Sequence, residues 1–198
     1  AAEGDLRWTY ETQGWVNASP VVHDGVVYVG SHDGFLYALQ ADDGQRRWWR
    51  QTGGRIEGAV AVEGSLVYVG SADNYVYALD RGTGALAWRF RTGGDIVSTP
   101  AVGEGMVYVA SVDRTLYALD AATGERRWIF EADGAFASSP AFAEGRIYVG
   151  SDDDCVYALR ARDGRLDWSY AADDVVRSSP IVWQDLVFFG SDDAFLYG

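Results

Sequence analysis

Few residues in this sequence carry chemistry of their own: one cysteine, Cys155, two histidines, His23 and His32, and the acidic run Ser151-Asp152-Asp153-Asp154. A Cys/His pair can make a nucleophile when the base stands beside the thiol, and nothing in the residues around Cys155 prepares that arrangement. The two histidines match no zinc spacing and read as solvated turn residues. The acidic run offers carboxylates of the kind calcium takes, yet its spacing is not that of a calcium loop. Asp153 also recurs as Asp33, Asp73, Asp113 and Asp193, which marks a turn residue bonded to its own backbone. Cys155 shares its column with Phe35, Tyr75, Thr115 and Phe195, so a packed side chain is expected. No nucleophile elbow, phosphate-binding loop or dinucleotide fingerprint is present. The expectation is no catalytic residue and no metal.

The recurrence of Asp153 is part of a repeat that decides the fold. Trp8, Trp48, Trp88, Trp128 and Trp168 stand 40 residues apart without an insertion. Ser31, Tyr37 and Gly4 head further columns at the same step, through Ser191, Tyr197 and Gly164. Within one unit, four β-rich runs (18–22, 26–30, 35–39 and 46–49) are separated by Gly/Asp turns, the signature of short antiparallel strands. No segment keeps a helical period. Four strands per 40-residue unit make a propeller blade, which buries its faces only by stacking on neighbours. The fold class predicted is therefore all-β: a five-bladed β-propeller occupying 1–198 as one domain. The first strand of each unit is expected innermost and the Trp-bearing strand outermost. The chain starts within one unit and stops within another, so the N-terminal strand is expected to complete the last blade, closing the ring and removing its free edge.

Constant columns build the fold, and a ligand site is expected where the blades differ. On one face of the ring a loop column reads Trp15, Arg55, Asp95, Ala135, Val175 and another Asn17, Glu57, Val97, Ala137, Arg177. The neighbouring turn column reads His32, Ala72, Val112, Asp152, Asp192. Trp15, Asn17, Arg55, Glu57, Asp95 and Arg177 are the expected binding residues, for a protein segment or a small polar ligand. The competing reading is drift at exposed loops.

The segment 78–88, Ala-Leu-Asp-Arg-Gly-Thr-Gly-Ala-Leu-Ala-Trp, resembles the tryptophan-docking motif of PQQ-like (quinoprotein-type) propellers. Residues 118–128 match it equally, and 38–48 and 158–168 match with Asp-Gly in place of Thr-Gly. The upstream Val-Tyr-Val-Gly-Ser and Leu-Tyr-Ala-Leu blocks extend the resemblance over nearly the whole chain. Two positions depart from it: Val60 replaces the proline of Pro20, Pro100, Pro140 and Pro180, and Ala110 replaces a repeated glycine. The resemblance implies larger rings than five blades. In its non-catalytic branch, the outer-membrane assembly lipoprotein and sensor-type propellers, it implies a protein- or ligand-binding scaffold, with a periplasmic or extracellular setting. Its enzymatic branch holds a quinone with calcium and often an adjacent-cysteine disulfide, which one cysteine cannot form. We therefore expect a non-enzymatic scaffold without a cofactor. The alternatives are a fragment or relative of a PQQ-dependent dehydrogenase, and an engineered or recently amplified repeat without a ligand.

Composition narrows the partners. The formal net charge is −13, and all 16 cationic side chains are arginine. Such a surface repels phosphate backbones and anionic lipid, so no nucleic acid is expected. No apolar run is long enough for a membrane-spanning helix, and the first residues carry neither the basic nor the apolar region of a signal peptide. A monomer is expected ahead of an oligomer.

Overall fold

The computed structural model describes residues 4–198, and its regular elements are all β-strands. The first sheet comprises β1 (Val21–His23), β2 (Val26–Gly30), β3 (Phe35–Gln40) and β4 (Arg46–Gln51). The second comprises β5 (Ala61–Glu63), β6 (Leu66–Ser71), β7 (Tyr75–Asp80) and β8 (Leu86–Arg91). The third is β9 (Ala101–Gly103), β10 (Met106–Ala110), β11 (Thr115–Asp120) and β12 (Arg126–Glu131). The fourth is β13 (Ala141–Ala143), β14 (Arg146–Gly150), β15 (Cys155–Arg160) and β16 (Leu166–Ala171). The last holds β17 (Ile181–Trp183), β18 (Leu186–Gly190) and β19 (Leu196–Tyr197). Every sheet is an antiparallel meander in chain order, and the chain is a five-bladed propeller fold. Strands β5, β9, β13 and β17 abut in series, which puts the first strand of each of these blades innermost, as expected.

Local chemistry explains the boundaries. The first strand of a blade starts one residue after the proline position, at 21, 61, 101, 141 and 181, rather than at 18, because proline has no N–H for the ladder. Val60 keeps the same boundary and is buried at 4% exposure. Ala110 ends a regular ladder, fully buried. The β1–β2 hairpin turns on Asp24 and Gly25 at φ 47° and 73°, the paired positive values that a tight turn between right-twisted strands demands. Each complete blade has the same register shift between its third and fourth strands, at Ala38/Leu39, Ala78/Leu79, Ala118/Leu119 and Ala158/Leu159. Such an irregularity increases local twist.

The core lies between the sheets. Val26, Tyr28, Leu36 and Trp48 of the first blade pack with Ile56, Val67, Tyr77 and Leu79 of the second and its entry loop, and equivalent clusters join the second to the third and the third to the fourth. The cluster at the last joint is smaller, built on Val156, Val176 and Phe189. One carbonyl ties each pair of complete blades together. Trp88 Nε1 and the Tyr68 hydroxyl both donate to Ala121 O, at 2.9 and 3.1 Å. Trp48 and Tyr28 donate to Arg81 O at 2.9 and 3.2 Å, and Trp128 and Tyr108 to Ala161 O at 2.8 and 3.3 Å.

The aspartate column does more than cap its own turn. Asp113 accepts the Thr115 N–H at 2.9 Å, the Tyr117 hydroxyl at 2.7 Å and the Gly93 N–H of the preceding loop at 2.6 Å. In Asp33 burial pushes the carboxyl upward, but bonds from the Phe35 N–H, the Tyr37 hydroxyl and the Gln13 N–H outweigh it and the pKa is lowered. Asp113→Ala strands three donors at once and should cost about 2–3 kcal/mol, given charge-assisted bonds that are partly water-accessible. Chemical denaturation followed by circular dichroism measures it. An unchanged midpoint would show that water replaces the carboxylate.

Closure of the ring by the N-terminal strand is not formed among the described residues. Residues 4–10 join no ladder, and the last sheet stops at three strands, β17-β18-β19. Trp8 is instead held on the first blade, its Nε1 donating to Ala41 O at 2.9 Å.

Candidate functional site

The loops entering each blade are pinned to the turn column by backbone bonds. His32 N–H donates to Trp15 O at 2.8 Å, Ala72 N–H to Arg55 O at 2.9 Å, Val112 N–H to Asp95 O at 3.1 Å and Asp192 N–H to Val175 O at 3.0 Å. The variable columns thus share one face of the fold. Ile56, Ile96, Phe136 and Val176 are completely buried in these loops. In extended chain, neighbours of an inward residue point outward, so burying Ile56 aims Arg55 and Glu57 at the face. Val16, at the equivalent position of the first loop, is 50% exposed.

Three groups of side chains result. Arg55 pairs with Glu57, its guanidinium Nε donating to the carboxylate, and lies 3.7 Å from Asp95 across to the next loop. The bond to Glu57 raises the Arg55 pKa, so its charge is permanent. Trp15 stands 76% exposed, its ring 5.9 Å from that of His32, and Asn17 Nδ2 is 3.4 Å from His32 Nε2. Arg177 donates to Asp152 at 2.9 Å and to Asp192 at 3.5 Å; the bond to Asp152 raises its pKa. A cleft of about 240 Å³ lies between the His32 turn and the strand end at Thr52–Arg55.

The six residues singled out in the sequence therefore do not form one cluster. Arg55, Glu57 and Asp95 come together, Trp15 and Asn17 meet around His32, and Arg177 sits apart. His32, Asp152 and Asp192 complete these groups and were missed as site residues, although their column varies between blades in the same way. The face can stack on an apolar or cationic side chain through Trp15 and exchange ion pairs through its arginines and carboxylates. Cys155 is half-buried, and burial, followed by the Asp153 charge, pushes its thiol up, which weakens it as a nucleophile. The Asp153 carboxylate already accepts from the Tyr157 hydroxyl at 2.8 Å and the Asp133 N–H at 3.0 Å.

A family model described as outer membrane protein assembly factor BamB matches residues 1–56, 47–138 and 123–198, end to end. The chain belongs to this family. Its fold is that of BamB from Moraxella catarrhalis, whose crystal structure superposes with a TM-score of 0.84 at 21% identity, over 98% of this chain and 61% of that one. The computationally designed Ika8 protein is similar too, with a TM-score of 0.81 at 19% identity, over 89% of this chain and 56% of that one. The chain thus spans less than two thirds of either protein. No curated protein matches the sequence. Among the described residues no helix is long and apolar enough to cross a membrane.

Proposed function

We propose that this chain is a non-catalytic scaffold whose variable loop face binds a protein segment. The observation that carries the reading is the convergence of the columns that differ between blades onto one rigid face, with Trp15 left 76% exposed beside them. Membership of a family described as an assembly factor supports protein rather than small-molecule binding. The face carries Glu57, Asp95, Asp152 and Asp192 against Arg55 and Arg177, so a segment presenting a basic side chain to Trp15 matches it best. The Ika8 similarity favours a second reading, a repeat scaffold without an evolved ligand.

A random peptide library panned on the immobilised chain separates the two. Selected peptides should lose about tenfold in affinity, about 1.4 kcal/mol, on Trp15→Ala or on the double change Asp95→Asn and Asp192→Asn. Arg47→Ala, exposed on the outermost strand, should leave them unaffected. Peptides indifferent to all of these changes would leave the face without a role.

A further inference from the structure

Three arginines converge on the outer mouth of one joint. In the cross-strand pairs of the first two blades, Arg50 stands beside Leu36, Arg89 beside Tyr77 and Arg91 beside Tyr75. Paired residues share a face of their sheet, and Leu36 is buried in the second blade's direction while Tyr77 and Tyr75 pack in the cluster between these two blades. The three arginines therefore rise from the facing sides of β4 and β8. The same positions read Phe90, Ile129 and Glu131 at the next joint, and Phe130, Ser169 and Ala171 at the one after. The repeat does not demand this cluster, which belongs to one joint alone.

No carboxylate neutralises the cluster. Arg55, Arg81, Arg127, Arg146, Arg160 and Arg177 all form ion pairs. Arg50, Arg89 and Arg91 form none among the described residues, in a chain with 29 acidic side chains against 16 arginines. The Arg89 guanidinium instead lies 4.8 Å from the centre of the Tyr75 ring. A guanidinium laid over a ring keeps its N–H edge free, and its planar fork then matches a carboxylate with little further loss of freedom. Arg89 and Arg91 are exposed and Arg50 is half-buried.

We propose that the joint between the first and second blades docks an acidic protein segment through Arg50, Arg89 and Arg91. Charge decides the occupant. Asp73 stands just before β7 and Asp80 at its end, so a carboxylate bounds the joint on either side. Asp73 accepts the Gly53 N–H at 2.6 Å and the Tyr77 hydroxyl at 2.5 Å, and Asp80 accepts the Thr83 N–H and hydroxyl at 2.8 and 2.7 Å. Their charges remain, and they repel a broad anionic surface such as a bilayer, which must cover them to reach the arginines. A narrow segment with carboxylates spaced along it avoids them and can take the guanidinium forks by charge-assisted hydrogen bonds. The loop face, matched to a basic segment, is a separate surface.

Fluorescence anisotropy with a labelled ten-residue peptide of alternating glutamate and serine tests it. The peptide should bind the whole chain, more weakly as salt is added, and its glutamine counterpart should not bind. Arg89→Gln with Arg91→Gln should weaken binding about fivefold, the loss of two exposed ion pairs, and Arg50→Gln about twofold. Arg162→Gln with Arg165→Gln removes the same charge from the fourth blade, at side chains 75% and 76% exposed, and should leave the affinity unchanged. So should Trp15→Ala on the loop face. Circular dichroism checks that each variant keeps the fold. Equal losses in the two double variants would reduce the effect to net charge and overturn the proposal. Absence of binding at low salt overturns it too, as does binding of phosphatidylserine vesicles in preference to the peptide.

Discussion

Trp88→Ala should destabilise the chain by about 3–5 kcal/mol, the cost of a large cavity in a packed interior, while Trp168→Ala, at a half-covered position, should cost about 1–2 kcal/mol. The two residues occupy the same column of the repeat. Trp88 is 9% exposed, donates to Ala121 O at 2.9 Å, lies on Gly124 and stands 5.8 Å from the Tyr68 ring. Its removal loses dispersion contacts on both sides of a joint and leaves Ala121 O with Tyr68 alone. A domain's net stability is on the order of 5–15 kcal/mol, so this one change consumes a large share of it. Trp168 has neither glycine nor acceptor among the described residues and keeps only the Tyr148 ring at 5.9 Å and its own sheet as neighbours, so its loss removes less. Urea titrations of the two variants measure the contrast. Equal midpoints would mean that docking contributes nothing to the joints.

The second large effect is alkaline unfolding. The tyrosine hydroxyls between blades are held neutral: Tyr68 is pushed up to about 12 by burial, then by the charges of Glu63 and Asp120. Tyr77 rises to about 12 by burial and by its bond to Asp73. Tyr28, Tyr37, Tyr108 and Tyr157 are raised as well, in each case first by burial. An unfolded tyrosine ionises near 10. Between pH 10 and 12 the unfolded chain therefore binds fewer protons than the folded one, and stability falls as pH rises. The contribution is complete below pH 10 and lost as pH climbs through 12. Tyr68 and Tyr77 each contribute on the order of 2–3 kcal/mol, together a large share of the net stability of a domain. A cooperative loss of strand signal should coincide with a late, steep rise of tyrosinate absorbance above pH 10. Gradual titration centred on pH 10 with the circular dichroism unchanged would contradict the burial described here.

Much of this molecule is legible in one dimension because its repeat writes the same local chemistry in every unit. Gly/Asp turns, alternating apolar runs and, in four units, a proline before the first strand identify four strands; the start of the first was placed three residues early, since the ladder waits for the residue after proline, and the first, third and fourth run one or two residues further than expected. The docking of Trp48 on Gly84 is readable too, because both ends recur in step. The loop face is half legible. Arg55, Glu57 and Asp95 lie in variable columns and do meet, but the partners of Arg177 depend on side chains reaching from one blade's loop to another blade's turn.

Sequence by itself determined the blade, the number of units and the residues that join one unit to the next, because those contacts are set by strand periodicity and turn geometry within 40 residues or between adjacent repeats. Only the tertiary structure decided which tryptophans are docked and whether the arc closes. Trp8 and Trp168 carry the same letter and the same spacing, yet one rests on Gly44 and the other faces an open groove. That outcome depends on the rotation accumulated from blade to blade, a sum of small packing angles that no single repeat encodes.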